Sequence, residues 1–142
     1  MNTFLVYPKK WEGEPLKIEM RRFEFSKTEF VLYNELDQPT KEGFIAFDKV
    51  TAIVREDLTK FQDPREAPPH QARLFFEVYV KDREEPITIS AEAVDFTDTP
   101  SLTFYVREWH TNERIALTGV YINSDDVIAV VPLGGLRDPL SR

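Results

Sequence analysis

The stretch from Leu102 to Val131 limits what this chain can fold into more than any other, because it alternates, reverses and alternates again. Leu102, Phe104 and Val106 are interleaved with Thr103, Tyr105 and Arg107, the period of two expected of a strand with one buried face. His110-Thr111-Asn112-Glu113 is a polar turn, after which Ile115 and Leu117 resume the pattern. Val120 and Ile122 continue it with opposite parity past Gly119, which predicts a bulge or bend at the glycine. Val127-Ile128-Ala129-Val130-Val131 is apolar throughout and closed by Pro132, the composition of a strand covered on both faces.

The remainder reads in the same way. Thr3 to Tyr7 is a short apolar run stopped by Pro8, and Trp11 to Pro15 is a turn. Leu16, Ile18 and Met20 alternate, then change phase to Phe23 and Phe25 across Arg21-Arg22, so a bulge is expected if all five face the core. Ser26-Lys27 is a tight hairpin turn and Asp37-Gln38-Pro39-Thr40 a second turn. Phe44 to Phe47, Val50 to Val54, Arg73 to Val80 and Ile87 to Ser90 are further strands, with the charged loop Lys81 to Pro86 between the last two. Ala91 to Asp98 is strand or irregular.

Part of the chain repeats. Phe30 to Tyr33, Phe44 to Phe47 and Val50 to Val54 match Leu102 to Tyr105, Arg114 to Leu117 and Val127 to Val131, with Thr118 to Asp126 inserted in the second copy. Repeat halves 1–54 and 73–131 would be two β-meanders about a pseudo-twofold axis, inside one domain spanning 1–142. Between them lies a proline-rich irregular loop, Arg55 to Ala72, in which Asp57 caps one helical turn reaching Phe61. The tail, 132–142, has no periodicity. The expected fold is all-β, either a small antiparallel barrel or a two-sheet sandwich of roughly nine or ten strands.

Composition excludes several classes. A net charge of -7 repels phosphate backbones, and the pairs Lys9-Lys10 and Arg21-Arg22 read as solvated strand-edge charges, so no nucleic-acid partner is expected. With no cysteine there is no disulfide, thiolate nucleophile or thiolate-bound zinc, in keeping with a cytoplasmic location. The N-terminus lacks the basic and apolar regions of a signal peptide, and no run approaches the roughly 20 apolar residues of a membrane helix. The only histidines, His70 and His110, sit in no nucleophile or metal signature. Asp95 with Asp98 lacks the alternating oxygen ligands of a calcium loop, so no metal is expected. Gly134-Gly135 precedes no helix that could receive a phosphate, and no cofactor is implied.

What remains is surface able to hold a partner. Trp11 and Trp109 lie at turns, with His110 beside Trp109, and tryptophan is enriched among interface anchors. Phe61, Arg65 and His70 in the long loop, and Leu136 and Leu140 in the tail, complete the candidate contact residues. Tyr33, Tyr79 and Tyr105 would form an outer aromatic stripe if their strands are neighbours. The expected function is a non-enzymatic protein-interaction or assembly module, an oligomer or a subunit of a complex. The alternatives are a small-ligand-binding barrel gated by the 55–72 loop, and a hydrolase or isomerase using Asp or Glu with a histidine.

Overall fold

A computed structural model describes residues 1–59, 75–96, 101–107, 111 and 113–132. Within these are thirteen strands and three single 3-10 turns, with no α-helix. Every strand pairing is antiparallel, and the strands form several sheets, none closed into a barrel. An all-β fold is therefore present. The strands are more numerous than expected, because runs such as Leu16 to Phe25 are cut at a corner where the chain changes sheet.

The central sheet has the order β12 (Val120–Ile122), β6 (Val50–Arg55), β1 (Asn2–Pro8), β2 (Leu16–Met20). Side chains alternate across it into two interiors. Leu5, Tyr7, Ala52, Val54 and Ile122 enter one, while Phe4, Val6, Ile53 and Tyr121 enter the other. β6 is thus covered on both faces, buried from Val50 to Val54, as is β1 from Phe4 to Tyr7. The run Val127 to Val131, expected to be so covered, is not: Ile128 is 69% exposed. Both runs read as apolar strands, but cover comes from remote strands, and of the two only β6 lies between two layers.

One covering layer is β3 (Arg22–Ser26), β4 (Glu29–Tyr33) and β5 (Pro39–Ala46). Phe4, Phe23 and Phe30 meet edge to face at 5.5 Å between successive rings, and Phe30 lies 4.8 Å from Tyr121. The phase change before Phe23 is a corner. The strand breaks at Arg21, whose N–H bonds to the Tyr33 carbonyl at 2.9 Å, and the chain crosses from the central sheet to the covering one. The hairpin turn after Ser26 is present, with Lys27 left-handed at φ 59°. At the next turn Asn34 Oδ1 accepts from the N–H groups of Leu36 and Gln38, and Asp37 takes φ 59°.

The other interior is closed by β7 (Phe75–Val80), β8 (Ile87–Ser90) and β13 (Val127–Pro132), and by β9 (Ala93–Asp95), β10 (Thr103–Arg107) and β11 (Arg114–Ala116). Val78, Ile87, Ile89, Phe104 and Ile122 are almost wholly buried there, each worth about 1.5–3 kcal/mol of apolar transfer. Gly119 makes the predicted bend at φ +78°, where the chain leaves β11 for the central sheet. Its carbonyl accepts from the Arg55 N–H at 2.8 Å, and a Cβ would meet Arg55 Cβ and Phe4 Cε1 at 3.3 Å. The helical turn expected from Asp57 to Phe61 is a 3-10 turn at Glu56–Thr59. Asp57 lies inside it, with its carboxylate 2.6 Å from Arg55 Nε. Two further 3-10 turns, Phe47–Lys49 and Ser124–Asp126, each introduce a strand.

Candidate functional site

Two recesses and one polar joint gather the side chains able to act. The first recess lies between the β1–β2 and β7–β8 connections. Both turn through a left-handed residue, Lys10 at φ 57° and Asp82 at φ 63°. From the second, Arg83 crosses to the first: its guanidinium donates to the carbonyls of Trp11 at 3.1 Å and Gly13 at 3.0 Å and stacks 4.8 Å from the Tyr7 ring. Arg83 Nε is buried and has no hydrogen-bond partner among the described residues. Burial raises the Tyr7 hydroxyl above its ordinary pKa, and the Arg83 charge opposes this. Around the pair opens a cleft of about 710 Å³, rimmed by Glu12, Glu14, Glu84 and Glu85.

Of the residues singled out from the sequence, Trp11 is the one among the described residues. It is 41% exposed, and its indole N–H donates to the Glu14 carbonyl at 2.7 Å. That bond holds the ring over its own turn. Phe61, Arg65, His70, Trp109, His110, Leu136 and Leu140 lie outside the described residues. Tyr33, Tyr79 and Tyr105 form no stripe, since β4, β7 and β10 belong to three different sheets. Tyr33 instead lies under the Arg22 guanidinium, 3.6 Å from its carbon, and donates to Glu24 at 2.7 Å. Arg22 also bonds to Asp37 at 2.8 Å, which holds that carboxyl below its ordinary range.

The second recess is aromatic. Phe25 and Phe44 are 54% and 63% exposed, and with Phe47, Lys27 and Asp48 they line a groove of about 550 Å³ at the end of the β3–β4–β5 layer. Phe25 and Phe47 stack at 4.6 Å. The sequence pattern assigned Phe25 to the core; the hairpin ends before the central sheet can cover it.

The polar joint links β12 to β6. Thr51 Oγ1 donates to the buried Asp126 carboxylate at 3.1 Å, and Lys9 Nζ lies 3.8 Å away. Asn123 donates its N–H to the Thr51 carbonyl at 2.9 Å and accepts from the Asp125 N–H at 3.0 Å. The neighbouring Tyr121 hydroxyl is buried without a hydrogen-bond partner among the described residues. Burial, reinforced by Asp126 and Asp125, pushes its pKa up to about 12. Among the described residues no three His, Asp or Glu side chains come together as a metal site would require. No helix among them is long and apolar enough to cross a membrane.

Compared with protein families, curated proteins and solved structures, the chain matches none.

Proposed function

We propose that this chain is a non-enzymatic protein-interaction or assembly module of the cytoplasm, self-associating or joining a complex, built from two copies of one β unit. Support for two copies lies in the ladders. Phe4, Val6, Tyr7 and Pro8 stand opposite Arg55, Ile53, Ala52 and Val50; Phe76, Val78, Tyr79 and Val80 stand opposite Pro132, Val130, Ala129 and Val127, with the register slipping at the same step. Phe4 faces Ile18 as Phe76 faces Ile89, and Phe23 faces Leu32 as Val94 faces Phe104. The Lys9 N–H bonds to the Lys49 carbonyl, and that of Lys81 to Asp126. The Glu29–Ala46 pair corresponds to the Ser101–Asn123 bridge.

This alignment pairs Phe44-Ile45 with Tyr121-Ile122 in place of Arg114 to Leu117. The extra residues of the second copy then fall before β12, and none separates it from the final strand.

The functional half of the reading is carried by the exposed Phe25–Phe44 pair, since burying the half or more of each ring left in water would be worth about 1–2 kcal/mol. The test uses the full chain, immobilised and free, beside a variant carrying Phe25→Asp and Phe44→Asp. Either a defined protein from the source cells or a second copy should be retained by the wild type and lost from the variant. A strictly monomeric chain that retains nothing would remove the reading.

A second reading, a small-ligand site, is favoured by Arg83 Nε, which lies below the cleft between the turns with no hydrogen-bond partner among the described residues. A ligand offering an acceptor there should raise the melting temperature of the wild type and not of Arg83→Lys.

A further inference from the structure

The joint between the two proposed copies is one-sided. β12 of the second lies along β6 of the first, with Val120 opposite Val54, Tyr121 opposite Ile53 and Ile122 opposite Ala52. In the alignment above, the strand corresponding to β12 is the end of β5, and the strand corresponding to β6 is β13. Among the described strands these two are not paired: β5 and β13 each stand at the edge of their sheets. A contact that uses one surface of the first unit and a different surface of the second leaves one surface of each kind unused, and the same contact can be made again.

The unused surfaces are apolar where their counterparts are buried. Tyr121 is 6% exposed at the joint, whereas its counterpart Phe44 is 63% exposed. Thr51 is 4% exposed, whereas its counterpart Ile128 is 69% exposed. In both places the more exposed residue is the more hydrophobic one, the reverse of what an edge meant for water would carry. At Gly43 a built Cβ meets nothing within 4 Å, so the face of β5 beside Phe44 is uncovered.

We infer that a second copy of this chain docks with β5 of one copy laid along β13 of the next, in the register by which β12 lies along β6. Phe44 then faces Val130 and Ile45 faces Ala129 of the other copy, adding a strand to an exposed edge. The inference rests on the assembly reading and its alignment of the two units. Two differences make this contact weaker than the internal one. Pro132 occupies the position of Arg55 and has no N–H for the ladder. Lys49 takes the position of Asp126 and approaches Lys81, the counterpart of Lys9, so attraction is replaced by repulsion. The association is reversible and is strengthened by salt, which screens the two lysines.

The test is sedimentation velocity of the full chain from about 10 µM to 1 mM, in about 50 mM and about 0.5 M salt. The wild type should grow with concentration, more so in high salt. Phe44→Glu blocks the inserting strand and Ile128→Lys the receiving edge; each alone should weaken association at least about tenfold. Mixed, the two variants each retain the surface the other lacks, so they should form a one-to-one pair that grows no further, which also shows that both are folded. Wild-type association untouched by either variant would overturn this interface while leaving the assembly reading standing. A wild type monomeric throughout the range would overturn the interface and confine the assembly reading to a foreign partner. Two variants that fail to complement would also overturn the interface.

Discussion

β6 and β13 carry nearly the same text, Val-Thr-Ala-Ile-Val and Val-Ile-Ala-Val-Val, and live in different surroundings. The first is buried on both faces between the β3–β4–β5 layer and the β7–β8–β13 layer; the second ends its sheet with Ile128 in water. The pair shows that an apolar run reports what a strand can tolerate, whereas its cover is decided by strands far away in sequence.

Truncating the two strands at corresponding positions should give the largest contrast. Ile53→Ala empties a fully buried site and should cost about 2–5 kcal/mol in urea unfolding, against about 1–2 kcal/mol for Val130→Ala, which is only partly covered. Equal losses would erase the distinction between the strands. Next comes the glycine that steers β12 onto β6. Gly119→Ala places a Cβ at φ +78° and 3.3 Å from Phe4 and Arg55, for an expected loss of about 1–3 kcal/mol. Gly43→Ala on the open strand β5 should be neutral or stabilising by up to about 1 kcal/mol, because nothing opposes the new methyl group.

The Tyr121 hydroxyl offers a sharper probe of the same joint. Its pKa is raised in the folded state, so full stability holds below the ordinary tyrosine pKa and is lost as pH climbs toward about 12. Unfolding midpoints at pH 8 and near pH 11.5 should differ by about 1–2 kcal/mol more in the wild type than in Tyr121→Phe. Tyr7, raised by burial, and Tyr33, raised mainly by its hydrogen bond to Glu24, contribute to the loss that remains in the variant. At pH 8 the phenylalanine should cost little, since the hydroxyl has no partner to lose among the described residues.

The smallest effect is expected at the Arg22 network on the outer layer. Glu24 and Asp37 are held below their ordinary range, mainly by hydrogen bonds from Tyr33 and Arg22 respectively, so their contribution is present at neutral pH and lost on acidification. Because these groups are in water, Arg22→Ala should leave the neutral-pH midpoint within experimental error, and added salt should not change that.

Much of this architecture was legible in the residues themselves. Alternation places β7, β8 and β10 and the parity change at Gly119 marks the passage into the central sheet, while the hairpin turn expected at Ser26-Lys27 lies one residue on, at Lys27-Thr28 between the paired Ser26 and Glu29. The parity change at Arg21-Arg22 was read as a bulge and is a corner, since both devices absorb one residue and differ only in which sheet follows. Among the candidate contact residues Trp11 was legible as a turn residue. Arg83 looked like one more charge in a solvated loop, and its reach over Tyr7 depends on two turns meeting in space. Phe25, Phe44 and Ile128 carried only a core signature, because hydrophobicity does not say which apolar residues are left without a neighbour.

β12 sends Tyr121 into one interior and the next residue, Ile122, into the other. A chain leaving the ribosome therefore holds both interiors unfinished until residues 120–122 have been made, so that strands formed early wait on one formed much later.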